Sequence, residues 1–425
     1  MTTSLLEHQP HPRTLPVGDR TRPAVARRRH GAGFWMVAFA FLVGMAFSTV
    51  PTPLYPLYEA RDGFSTFTVT VVYATFAVGV VISLMLAGHI SDWVGRKKIL
   101  LPSLGLELAG ALVYLSGASL PLLLAGRLVT GLGVGMLTAT ATAHLQELHT
   151  AHRPGASGQR FELVSTVANI GGLGVGPLVG GILAQFVGAP LRVPFLVFAV
   201  LLGLGMVAVA LTPETVAEQM VKPAYRPQRV SADHGDRAGF LVAAASGFAA
   251  FAVFGMFTSI AAGFVGGTLH HPSRALAGLI VFVVFGAAAV AQTLTGRLST
   301  AAKRRAGLLT QAVGLVVLLA GMRDANLPAF LAGGILSGIG AGVLFKAALG
   351  AVAAAAVPAK RSEALADLFL ISYVGLSLPA LGIGLATREV STTTAMTWFT
   401  AVLLVMLGAV AALGRRADAG GPAVR

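Results

Sequence analysis

Apolar runs bounded by charge, proline or glycine recur twelve times along this chain, near 34–55, 66–88, 99–118, 121–145, 161–187, 193–212, 240–265, 275–296, 306–322, 327–348, 363–386 and 393–413. A helix of about 20 residues crosses roughly 30 Å of hydrocarbon, and each run is near that length. The chain is 55% hydrophobic with a mean hydropathy of +0.77, far more apolar material than a soluble domain buries. Its 52 glycines follow no tandem period, which excludes a collagen-like chain. The pattern predicts a polytopic membrane protein.

The net charge of +14 does not form one patch. The basic residues fall in short clusters between the runs, which argues for membrane topology and against a nucleic-acid partner. With both termini placed in the cytoplasm, 24 Lys and Arg lie on the inner side and five on the outer, while Arg127 and Lys346 lie within runs. That bias orients the chain. Cysteine is absent, so no disulfide, thiolate metal site or cysteine nucleophile is available. Residues 1–33, with Arg27, Arg28 and Arg29 at their end, read as a disordered basic cytoplasmic tail. The run after them is too long for a signal-peptide core, and no small-residue cleavage site follows it.

The chain repeats itself. SLPLLLAGRLVTGLGVGML at 119–137 matches NLPAFLAGGILSGIGAGVL at 326–344 with a constant offset of 207, which sets Gly131, Gly133 and Gly135 on Gly338, Gly340 and Gly342. GHISDWVGRKK matches GRLSTAAKRRA (296–306) at offset 208. The expected organisation is a six-helix bundle over 34–212, a Pro- and Arg-rich cytoplasmic loop over 213–239, a second bundle over 240–413 and a cytoplasmic tail over 414–425. Parallel six-helix repeats place a substrate site near the midplane between them.

Between the second and third runs, Gly88, Ile90, Ser91, Asp92, Gly95, Arg96 and Lys97 follow the pattern G-x-L-[AS]-D-x-x-G-[RK]-[RK]. Together with twelve spans and a central loop, the chain resembles the major facilitator superfamily over nearly its whole length. The resemblance implies an all-α integral membrane fold of two pseudo-symmetric six-helix bundles. It also implies that Gly88, Asp92, Gly95, Arg96 and Lys97 form a conformational latch between the halves. Glycines allow the tight turn, and Asp92 is expected to cap the positive N-terminus of a neighbouring helix. Trp93 stands where the family has a basic residue, and Thr300 replaces the aspartate in the second copy, so a one-sided latch is expected.

Two further motifs carry the resemblance. GRLVTGLGVG (126–135) is similar to the family's R-x-x-x-G-x-G helix, with Arg127 about 9 Å below the outer end at roughly 1.5 Å per residue. Such a residue is either functional or snorkels outward. GLGVGPLVGG (172–181) matches the G-x-x-x-G-P-x-x-G-G associated with antiporters, through Gly172, Gly176, Pro177, Gly180 and Gly181. Its other reading is generic glycine packing. Pro213-Glu214-Thr215, Pro51-x-Pro53 and the Glu147 and Arg153 pair are weaker echoes.

Glu107 reads as the only acidic residue deep within a span, either a proton carrier or a packing group. Its depth brings it within reach of Arg127 if the two share a face, so these two are the proton-coupling candidates. Tyr73, Asn169, Gln292 and Tyr373 are the cavity candidates, and Lys346 is expected to snorkel. No metal-ligand cluster, nucleotide loop or nucleophile constellation is present in the sequence, so there is no case for an enzyme, a metal or a cofactor. The resemblance therefore implies a monomeric secondary transporter in the cell membrane, exchanging protons and a small-molecule substrate across the lipid bilayer with the proton gradient as its energy source. The leading expectation is export of small lipophilic compounds. Uptake of sugars or organic acids is the alternative, and a transporter-like receptor is the reading from another class.

Overall fold

The computed structural model describes residues 21–87, 90–216, 236–357 and 361–420. Twelve helices are long and apolar enough to span a membrane: α1 (Thr21–Thr49), α2 (Thr66–Ala87), α3 (Arg96–Ser116), α4 (Leu120–His152), α5 (Gln159–Phe186), α6 (Val193–Leu211), α7 (Arg237–Ser259), α8 (Arg274–Leu294), α9 (Thr300–Arg323), α10 (Leu327–Ala355), α11 (Arg361–Ala386) and α12 (Thr392–Gly420). Consecutive crossings put both chain ends on one face, here called proximal; the other face is distal. Among the described residues there is no strand. The predicted all-α, twelve-span protein is what the chain forms.

The repeat predicted from sequence is a packing repeat. In lipid, helices approach through small residues because apolar burial gives no preference for a neighbouring helix over a lipid tail. A Cβ at Gly131 would strike the carbonyl of Phe76, and one at Gly338 the carbonyl of Val284. A Cβ at Gly135 would lie 2.7 Å from Val80 O, and one at Gly342 2.7 Å from Ala288 O. Gly133 faces Ser103 of α3 and Gly340 faces Gln311 of α9. Every pair is related by the offsets read in the sequence. Thus α4 nests against α2 and α3 just as α10 nests against α8 and α9.

Two expectations about elements are corrected. Residues 21–33 are not a disordered tail but the first turns of α1. Their packing explains this: a Cβ at Gly31 would lie 2.8 Å from the His152 ring and one at Gly33 3.0 Å from Pro213, so the extension rests on the end of α4. His152 Nδ1 also meets Arg27 O at 2.8 Å. Second, α1 stops at Thr49 rather than near Tyr55, because Pro51 and Pro53 cannot donate to a continuing helix. A 3-10 turn (Thr52–Leu54) and a short helix (Tyr55–Asp62) follow. In addition, α5 widens to a π turn over Val167–Gly171, where Gly172 N–H reaches back to Val167 O. Residues 1–20, Gly88, 217–235 and 421–425 of the expected tails, latch and central loop lie outside the described residues.

Candidate functional site

On the proximal face, α4 has 33 residues, about 50 Å at 1.5 Å per residue, well beyond the hydrocarbon. Its last turns carry Glu147 to the α2–α3 turn. There the buried Arg96 donates to Asp92 Oδ1 (2.5 Å), to Glu147 Oε1 (2.7 Å) and to Ser91 Oγ (2.7 Å). Thr215 donates to Glu147 Oε2 at 2.5 Å. The expected cap is made by a different carboxylate. Glu214, not Asp92, accepts from the backbone N–H groups of Arg96 (2.9 Å) and Lys97 (3.0 Å) at the start of α3. Burial raises the Glu214 pKa, but the backbone amides of Arg96, Lys97, Val216 and Thr215 outweigh it and hold the carboxyl below its ordinary value. Gly95 makes room: its φ is +115°, and a Cβ there would lie 2.9 Å from Glu214 Oε2.

The described residues of the expected latch make their printed polar contacts within one half. Asp92, Arg96 and Lys97 join the α2–α3 turn to the ends of α4 and α6, all within the first half, and Asp92 makes its polar contact with Arg96. Glu147 pairs with Arg96 and not with Arg153. The sequence signal for Glu214 and Thr215 was present as Pro-Glu-Thr, but a short motif gave no sign that it closes onto α3. In the second half Ser299 caps α9 locally through Ala302 N–H.

The antiporter-like stretch sits at the seam between the halves. Gly172, Gly176 and Gly180 form a stripe against α1: a Cβ at Gly176 would overlap Ala46 O, and one at Gly180 would lie 3.0 Å from Val50 O. On another face, Gly174 packs on Phe282 and Gly181 on the Arg274 carbonyl, while Gly278 of α8 abuts the Pro177 carbonyl. Pro177 has no N–H, so Leu173 O lacks its helical donor. The Thr49 hydroxyl of α1 donates to Leu173 O instead, at 2.9 Å. Nearby, Arg274 donates to Gln185 Oε1 and Ala184 O, and Thr258 Oγ1 of α7 donates to the Tyr73 hydroxyl of α2 at 2.7 Å. These cross-seam contacts lie in the distal half of the bundle. At the proximal end, Glu162 of α5 faces Lys346 of α10 at 3.8 Å.

The two buried charges do not pair. Arg127, 2% exposed, donates to Ser48 O at 2.6 Å and lies over Phe76 (4.5 Å) and Tyr73 (5.6 Å). Ser48 is in the last turn of α1, where carbonyls lack helical donors and the helix dipole is negative. Arg127 therefore neither snorkels nor reaches Glu107. Glu107 is 0% exposed, and neither carboxyl oxygen has a hydrogen-bond partner. It lies between Gly44 of α1 and Gly133 of α4; a Cβ at Gly44 would be 3.0 Å from its Oε1. Glu107 is not the only buried acid of a span, contrary to expectation: Asp367, six residues into α11, is buried as well.

The cavity candidates do not converge. Tyr73 bridges Arg127 and Thr258, whereas Tyr373 belongs to an aromatic group with Phe251 and Phe345. Asn169 is half-buried in the π turn of α5. Gln292 is buried near the proximal end of α8, where its main-chain oxygen accepts from Lys346 Nζ at 2.8 Å. The Lys346 ammonium thus lies at the proximal end of α8, beside the exposed Glu162. Among the described residues no group of His, Cys, Asp and Glu could hold a metal ion.

Comparison with known proteins agrees with this architecture. Relatives include a bacillibactin exporter of Bacillus subtilis, 27% identical over 139 residues (32% of this chain, 34% of the relative). A glucose transporter of Staphylococcus epidermidis is 26% identical over 112 residues (26% of this chain, 24% of the relative). The matched stretches thus cover no more than about a third of these relatives' own lengths. A crystal structure of a POT family transporter bound to a thioalcohol-conjugated peptide superposes with a TM-score of 0.71 over 92% of this chain and 96% of that one. At 13% identity this match shows the fold alone. The family model of the Major Facilitator Superfamily matches residues 36–267, more than half the chain, and with its twelve helices in two repeats the chain belongs to that superfamily of membrane transporters.

Proposed function

We propose that this chain is a proton-coupled exporter of small lipophilic compounds, moving them across the cell membrane by alternating access, with its proximal face and both termini in the cytoplasm. The observation that carries the reading is the α5 stretch at the seam. Its glycines let α1 and α8 approach to backbone contact, and Pro177 removes the one helical bond that Thr49 replaces. A helix so built bends at a fixed place while remaining closely packed on both sides. The α2–α3 junction binds its half into one rigid body, so that motion is concentrated at the seam. Glu107, buried without a partner, is the proton carrier in this reading: a carboxyl in such surroundings is stable only when neutral or when a charge approaches it. Export also fits the bacillibactin exporter among the relatives, whereas the glucose transporter keeps uptake as the second reading.

The test is gradient collapse in inverted membrane vesicles. Lipophilic compounds added to vesicles acidified inside are expected to dissipate the pH gradient only when the intact chain is present. Accumulation of labelled sugar in right-side-out vesicles under an inward proton gradient, in the absence of any response of the inverted vesicles to lipophilic compounds, would establish the uptake reading instead.

A further inference from the structure

Lys346 lies nine residues before the proximal end of α10, about 13 Å along the helix, and its ammonium meets the main chain at the proximal end of α8. Of its three donors one goes to Gln292 O at 2.8 Å; the Glu162 carboxylate, at 3.8 Å, is beyond hydrogen-bond reach. Lys303 converges on the same place, donating to Gly296 O at 3.2 Å and feeling the charges of both Lys346 and Glu162. Gly296 is open towards the site, since a Cβ there would come within 3.7 Å of Lys346 Nζ. Gln292 is 8% exposed and its side-chain Nε2 is buried without a partner. Two ammonium groups therefore lie about one carboxylate, beside a stretch of α8 that also holds an unused amide donor, and that carboxylate is 61% exposed and belongs to the other half.

The end of a helix attracts cations, which explains one bond from each lysine. It does not explain the remaining donors, the stranded amide, or a counter-charge held at arm's length from across the seam. We propose that Lys346, Lys303 and Gln292 form a binding site for the anionic head of an organic acid, and that Glu162 stands in for that head when the site is empty. Arrival of a carboxylate supplies the short charge-assisted bonds that Glu162 does not make, and frees Glu162 from its contact with the second half. Binding of the acid thus loosens an ion pair that joins the two halves. The inference rests on the transport reading for naming the acid as cargo, and it narrows the lipophilic substrates to acidic ones.

The test is equilibrium titration of the purified full-length protein in detergent with 2-naphthoate, its neutral amide 2-naphthamide and the cationic 2-(aminomethyl)naphthalene. Binding of the carboxylate alone is expected. Lys346→Met should weaken it about 10- to 100-fold, the range of a charge-assisted hydrogen bond, while Lys346→Arg retains it. Glu162→Gln should tighten it about 2- to 5-fold by removing a competitor worth about as much as a surface ion pair. A purely structural Lys346 would not produce that gain. Equal binding of the amine, no binding of the carboxylate, or naphthoate affinity indifferent to Lys346 and Glu162 overturns the proposal. The titration is repeated in nanodiscs of phosphatidylcholine and of phosphatidylglycerol. Loss of naphthoate binding only in the anionic lipid would assign the site to a lipid headgroup and also overturn it. Because no gradient is involved, failure of gradient-driven efflux would leave this result standing.

Discussion

The Thr49–Leu173 contact tests whether Pro177 is a built hinge or a tolerated defect. Thr49→Val keeps the shape of the side chain and removes its hydroxyl. With Pro177 present, Leu173 O then loses its side-chain donor in a part-buried place. A stranded buried acceptor costs about 1–3 kcal/mol in general, but inter-helix hydrogen bonds in membranes average about 0.6 kcal/mol and reach about 1.7. The expected cost is therefore about 1 kcal/mol, close to a fivefold change in the unfolding equilibrium. In a Pro177→Ala background the new N–H donates to Leu173 O within the helix, so the same Thr49→Val change should cost almost nothing. The coupling from the double-mutant cycle is then about 1 kcal/mol. Equilibrium unfolding in mixed dodecyl maltoside and SDS micelles, followed by circular dichroism, measures all four proteins. Additive effects, with Thr49→Val costing the same in both backgrounds, would refute the replacement of one bond by the other.

Other expectations concern the junction and the buried acid. Arg96→Met removes the cation common to two carboxylates; since Asp92 is 57% and Glu147 33% exposed in their side chains, the loss should fall between about 1 kcal/mol for a screened pair and about 3–5 kcal/mol for a buried one. Asp92→Asn should cost no more than about 1 kcal/mol, so thermal unfolding should rank the two variants clearly. The Glu214 carboxyl titrates below its ordinary value of 4.5, so its contribution is present above that pH and lost as pH falls through the lower folded value. The difference in melting temperature between the native chain and Glu214→Gln should therefore vanish in acid; a difference independent of pH would contradict the capping role. Glu107→Gln should abolish the dependence of efflux on the pH gradient while preserving substrate exchange, and an unchanged efflux profile would move proton transfer elsewhere.

The sequence made the helices legible because hydrocarbon demands long uncharged runs, and it made the repeat legible because close helix contacts demand glycine at fixed places. Gly131, Gly133 and Gly135 find the same neighbours as Gly338, Gly340 and Gly342 for that reason. Partners across space were harder. Depth along α3 and α4 placed Glu107 near Arg127, but depth does not fix the face, and Arg127 turns to the frayed carboxyl end of α1. Capping by Glu214 was invisible because it joins the end of α6 to the start of α3, more than a hundred residues away. The partner of Lys346 was hidden as well, since hydropathy carries no information on the carbonyl of Gln292. The basic stretch before the first span read as a tail because its stability as a helix comes from contact with α4, not from its own composition.

Alternating access about the α5–α8 seam is most directly tested by distances across both ends of the molecule. The chain contains no cysteine, so pairs of spin labels need no background substitutions. One pair, Asp62→Cys with Glu389→Cys, spans the distal side; the other, Ser157→Cys with Val357→Cys, spans the proximal side, all at exposed positions. Double electron–electron resonance in nanodiscs, at neutral and acidic pH and with bound naphthoate, should show the two distances changing in opposite directions, the distal one lengthening as the proximal one shortens. Distances that stay fixed, or lengthen together, in every condition would contradict the rocking of two rigid halves.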